Sequence, residues 1–145
     1  MENKRKSGVL VHISSLPSKY GIGDLGIPSK SFVDLLKDSS QKLWQILPIG
    51  PTEPFFDNSP YHSISAFAIN PLFVSLEGLV EMGLISQDIL SQFEVPESNF
   101  VHYEEVIEKK YKAFRVAFSN FKEDDEFYKF VEENKFFLED YALFV

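Results

Sequence analysis

The 145-residue chain contains no cysteine. That excludes disulfides, thiolate metal sites and a thiol nucleophile, and a cytoplasmic location is expected from it. Basic residues are few, with 14 Lys and Arg against 22 Asp and Glu and a net charge of −8. A nucleic-acid or anionic-membrane surface needs clustered cations, so neither partner is expected. The one basic cluster, Lys4-Arg5-Lys6, reads as a solvated terminal tail. No apolar run approaches the ~20 residues that a membrane span requires. Val9-Leu10-Val11, which follows the basic cluster, is too short for a signal segment. The three histidines, His12, His62 and His102, stand apart from one another and from acidic partners at metal-ligand spacing. GIGDLG at 21–26 lacks the spacing of a dinucleotide fingerprint and reads as mobile backbone and tight turns. No metal or cofactor is therefore expected. Internal repeats and low-complexity segments are also missing.

Aromatic side chains are plentiful, at 15% of the chain. Taken in order, Ser7–Ile13 reads as a short strand buried on both faces, because all its non-polar members are apolar. Pro28 suits the first turn of a helix, and Phe32, Leu35 and Leu36 follow at helical spacing on one stripe. Leu43–Leu47 is a second apolar strand, ended by Pro48, Gly50 and Pro51. One strand–helix–strand unit with two apolar strands implies parallel pairing. Ser75 is a candidate N-cap for a helix over Leu76–Met82 that Gly83 stops, and Ser86 opens a short helix over Gln87–Phe93. Ile107, Tyr111, Phe114, Phe118 and Phe121 step by four and three, which predicts an amphipathic helix with an aromatic core stripe. A charged turn capped by Asp124 or Asp125 leads into a second helix, and the two are expected to form an αα-hairpin.

The stretch from Lys42 to Pro71 organises the rest. Its loop packs Asp57, Asn58, Ser59, Tyr61, His62, Ser63 and Ser65 around Pro60. Loops rarely bury their backbone, so this density of hydrogen-bonding groups and rings points to a site. Flat rings beside hydroxyls suit a sugar, which offers C–H faces for stacking and hydroxyls for hydrogen bonds. In an α/β sheet such a site lies at the carboxyl end of the strands, where His12–Ser15 and Pro48–Tyr61 would meet.

LWQILPIGPT at 43–52, NSPYHSISAFAINP at 58–71 and SGVLVHISSLPSKYGIGDLG at 7–26 resemble the N-terminal signature of the 4-α-glucanotransferases (amylomaltases, or disproportionating enzymes). The similarity covers about half the chain strongly and is looser beyond Gln87. It implies an α/β fold, the N-terminal part of a (β/α)8 TIM barrel with about two parallel strands plus an inserted, mainly helical subdomain. Residues 1–71 would supply the barrel portion and 72–145 the insertion. It implies a retaining double displacement on α-1,4-glucans, with maltooligosaccharides and glucose as partners. The two carboxyl groups such chemistry needs lie on later strands in that family, so no catalytic residue is expected in this chain. Tyr61 matches the family tyrosine lining the donor sugar, and Ser59 a serine near the same sugar. Asp24 and Asp57 are read as capping or loop-stabilising groups, Trp44 as core, and Asn70 as a cap or turn. The family's Gly-Tyr-Gly-Asp run is replaced here by Glu53–Asn58, which puts a secondary glucan site on that tyrosine in doubt. Phe55 or Phe56 could stack in its place. The alternative function is a non-catalytic α-glucan-binding module. A helical interaction domain built on 101–145 has less support, because it leaves the Lys42–Pro71 loop without a role.

Overall fold

The computed structural model describes residues 5–145, and Lys4 of the basic cluster lies outside the described residues. Two three-residue strands, β1 (Gly8–Leu10) and β2 (Leu43–Gln45), pair in parallel with Val9 opposite Trp44. Helix α1 (Ile27–Asp38) crosses between them with Pro28 in its first turn, as expected from its missing donor. Bonds from Lys42 N–H to the Ser7 carbonyl (2.9 Å) and from Val11 N–H to the Gln45 carbonyl (3.1 Å) extend the ladder at both ends. The strands are shorter than their apolar runs, and every residue of β1 is exposed. The expectation of a strand buried on both faces is not met among the described residues, where β1 is exposed and β2 is its paired neighbour.

Burial is concentrated instead in loops and short helices. Ile13 and Ile22 pack with Leu72, Phe73, Val95 and Val106. Tyr20 packs with Leu76, Ile85, Leu90, Phe93, Ala113 and Ala117. Both clusters join residues within 13–22 to residues within 72–117. The GIGDLG segment is largely buried rather than mobile. A Cβ on Gly23 would stand 2.0 Å from the Ile13 carbonyl oxygen, so only glycine permits that approach.

Helix α2 (Leu76–Glu81) is capped by the Ser75 hydroxyl, which accepts from Gly78 N–H at 3.1 Å. Gly83, at φ 71°, closes its C-terminal side in the left-handed region. Helix α3 (Gln87–Leu90) runs into a single 3-10 turn at Ser91–Phe93. Helices α4 (Tyr103–Asn120) and α5 (Asp125–Phe144) follow, and Asp124 caps α5 by accepting from Phe127 N–H at 2.8 Å. The buried face of α4 is Val106, Lys110, Ala113 and Ala117, one position before the aromatic stripe. Phe118 is 79% exposed and Tyr111 is also exposed, while Ile107 and Phe114 are half-buried against the core, so the stripe lies at its edge rather than in it. No described helix is long and apolar enough to cross a membrane.

Candidate functional site

Parallel pairing sends β1 and β2 out of the sheet on the same side. The chain leaves β1 through Val11 and His12 into a 3-10 turn at Ile13–Ser15. The Trp44 indole N–H donates to the Val11 carbonyl at 2.8 Å, tying that exit to β2, and the indole meets Phe32 edge-on. Trp44 is thus half-buried scaffold. His12 lies edge-on to Phe73, with its Nδ1 buried and without a hydrogen-bond partner. Burial lowers its pKa, which keeps the ring neutral.

The β2 exit becomes a loop that returns to its own base, where Asn70 N–H donates to the Ile49 carbonyl at 2.8 Å. Within it, Pro54–Phe56 forms a 3-10 turn, and Asp57 and Asn58 follow in the left-handed region at φ 52° and 53°. Such conformations suit Asp and Asn better than most side chains. The next turn holds Ser59, Pro60 and Tyr61. Ser59 O accepts from His62 N–H at 3.1 Å, and Ser59 Oγ accepts a long bond from Tyr61 N–H at 3.4 Å. Thr52 and Ser63 form an antiparallel bridge just behind this turn. Ser59 and Tyr61 therefore share one tip, with the ring 70% exposed. Beside it, Phe56 stacks on His62 at 4.7 Å between ring centroids and meets Phe55 edge-on, and Phe55 is 86% exposed. The tip offers aromatic faces and hydroxyls to solvent together, a surface suited to a pyranose ring.

Asp24 and Asp57 stand in different surroundings. Asp57 is exposed on the loop surface. Asp24 is fully buried, where its Oδ1 accepts from Gly26 N–H at 2.8 Å and its Oδ2 lies 3.5 Å from Lys110 Nζ. The ammonium donates to the carbonyls of Leu72 at 2.7 Å and Val74 at 2.8 Å. Burial raises the Asp24 pKa against the opposing pull of Lys110, and burial lowers that of Lys110. The pair clamps the glycine-rich segment and the turn after Asn70 onto α4. Lys110 was invisible as a core residue because its type reads as polar. Its position four residues after Val106 and three before Ala113 is the signal that could have exposed it. Among the described residues no cluster of three or more His, Asp or Glu could hold a metal ion.

An α/β chain with an aromatic, hydroxyl-bearing loop at its strand ends is the class this arrangement defines. A family model described as 4-alpha-glucanotransferase matches residues 11–145. A 4-alpha-glucanotransferase of Synechocystis sp. is 42% identical, covering 100% of this chain and 30% of that protein. That of Clostridium butyricum is 43% identical over 93% of this chain and 28% of its own length. Among solved structures, amylomaltase from Streptococcus agalactiae in complex with acarbose superposes with a TM-score of 0.79 at 36% identity, over 94% of this chain and 27% of that one. The chain belongs to the 4-alpha-glucanotransferase family, and it spans under a third of the length of these relatives.

Proposed function

We propose that these residues form the N-terminal part of a 4-α-glucanotransferase that moves α-1,4-glucan segments onto glucose or glucan acceptors. The carrying observation is the family match combined with the display of Tyr61 and Ser59 at one loop tip beyond the parallel strand ends. In this reading residues 1–71 are the first portion of a TIM barrel and 72–145 a helical insertion, the two sharing one packed interior. Tyr61 stacks on the donor sugar and favours positive charge developing at its anomeric carbon, as a ring face attracts a cation. Ser59 hydrogen-bonds a hydroxyl of the same sugar. Retaining transfer needs a nucleophilic carboxylate and an acid/base carboxyl about 5 Å apart. The burial of Asp24 and the exposure of Asp57 support placing that pair outside these 145 residues.

The test is to incubate the full-length protein carrying this sequence with maltotriose and to separate the products. Glucose together with longer maltooligosaccharides is expected. Tyr61→Ala should lower kcat/KM by about tenfold, which is about 1.4 kcal/mol and lies at the upper end of a stacking contact, with Tyr61→Phe closer to the parent. Sugar binding without any transfer product would favour the non-catalytic binding module instead.

A further inference from the structure

Tyr61 is held in an unusual way for a platform residue. Its neighbours Phe55, Phe56 and His62 pack on one another, whereas its own ring is 70% exposed. Its nearest backbone tether within the turn is the long 3.4 Å bond to Ser59 Oγ. Packing therefore contributes little to where the ring stands, and the base of the loop must do so.

Three side chains meet at that base. Asn70 Nδ2 donates to Thr52 Oγ1 at 3.1 Å, and the Thr52 hydroxyl donates in turn to Asn58 Oδ1 at 3.4 Å. Asn70 uses its remaining oxygen to accept from Leu72 N–H at 3.0 Å. Asn58 and Asn70 are buried, so each amide depends on this arrangement for its partner. The segments joined are the exit from β2, the left-handed residue that directly precedes Ser59, and the segment by which the loop returns to the sheet. Thr52 also bridges Ser63 through its backbone, two residues beyond Tyr61. One hydroxyl thus joins the side-chain bonds at the base of the loop, beside the backbone bonds of the Ser59–Tyr61 turn itself.

We infer that Thr52, Asn58 and Asn70 are positioning residues: a hydroxyl-centred relay that sets the Tyr61 turn against the donor sugar. The inference rests on the reading of Tyr61 given above, and the two fail separately. Thr52→Val keeps the shape and the backbone bridge while removing both side-chain bonds. Thr52→Ser keeps the hydroxyl. Asn70→Asp keeps the acceptor for Leu72 N–H and replaces the donor to Thr52 by a buried charged acceptor, so the Thr52 hydroxyl can no longer receive from position 70 while donating to Asn58.

The experiment is steady-state transfer from maltotriose by the full-length protein, with thermal melting recorded for each variant. Displacing a substrate-positioning group by about 1 Å can cost on the order of 100-fold, so a loss of about tenfold or more in kcat/KM is expected for Thr52→Val. Thr52→Ser should stay within about threefold of the parent, because the hydroxyl alone carries the relay. Asn70→Asp should fall with Thr52→Val, and it decides the matter if the valine variant does not fold. Parent-like kinetics in Thr52→Val or in a folded Asn70→Asp would overturn the relay. Equal losses in Thr52→Val and Thr52→Ser would overturn it too, since the hydroxyl would not be the feature that matters. An unchanged Tyr61→Ala enzyme would instead overturn the role of Tyr61 on which the relay depends.

Discussion

Among the described residues the strands and the loops differ in burial, and the loops are the better buried of the two. β1 and β2 are largely apolar in composition yet exposed except at Trp44, with Leu43 at 53%. The 3-10 turn after β1, the glycine-rich segment and the 3-10 turn after Asn70 carry Ile13, Ile22, Leu72 and Phe73 into the interior. Strand composition reports the neighbours a strand is built to have, whereas burial reports the neighbours that are present. Loops bury their backbone only when its polar groups are answered, and here Lys110, Asp24 and Asn70 answer them. The interior of this chain is thus held by a small polar framework as much as by its apolar contacts.

Breaking that framework should have the largest effect. Lys110→Met leaves the Asp24 carboxylate buried without its cation and frees the Leu72 and Val74 carbonyls. A loss of about 3–5 kcal/mol is expected, read by urea unfolding. Leu76 is fully buried at the centre of the second cluster, and Leu76→Ala should cost about 2–5 kcal/mol. The same measurement on Leu43→Ala in the 145-residue chain by itself sharpens the contrast, because truncating a strand residue exposed there should cost no more than about 0.5 kcal/mol. In the full-length protein a loss at Leu43 similar to that at Leu76 is expected, since further barrel strands would cover it.

A smaller effect is expected from His12. Its folded-state pKa lies below the ordinary 6.5, so the folded protein binds its proton less readily than the unfolded chain. Its contribution to stability is present above pH 6.5 and is lost as pH falls through the folded-state value. Melting temperatures at pH 7.5 and pH 5 should therefore differ less in His12→Gln than in the parent.

Much of the local structure was legible because single residues dictate it. Ser75, Gly83, Asp124 and Asn70 act as the cap and turn residues their chemistry implies, and the strand–helix–strand order follows from Pro28 and the two apolar runs. The stripe on α4 was misplaced by one position because Tyr111 and Phe118 outweigh Ala113 and Ala117 in any hydrophobic pattern, and Lys110 masks the true face. GIGDLG reads as mobile because glycine is permissive, whereas at Gly23 the glycine admits a close backbone contact. For the site, the loop stood out by its ring and hydroxyl content, and Ser59 and Tyr61 within it are singled out by the family resemblance alone. The Thr52–Asn58–Asn70 relay did not stand out, since its members are up to 18 residues apart and meet only when the loop closes.

The most direct measurement is a titration of the full-length protein with maltotriose, followed by NMR of the tyrosine ring and backbone signals. Perturbations centred on Ser59–Tyr61 and removed by Tyr61→Ala are the expected result. Saturating sugar binding that leaves that turn unperturbed would contradict the assignment of the loop as the glucan site.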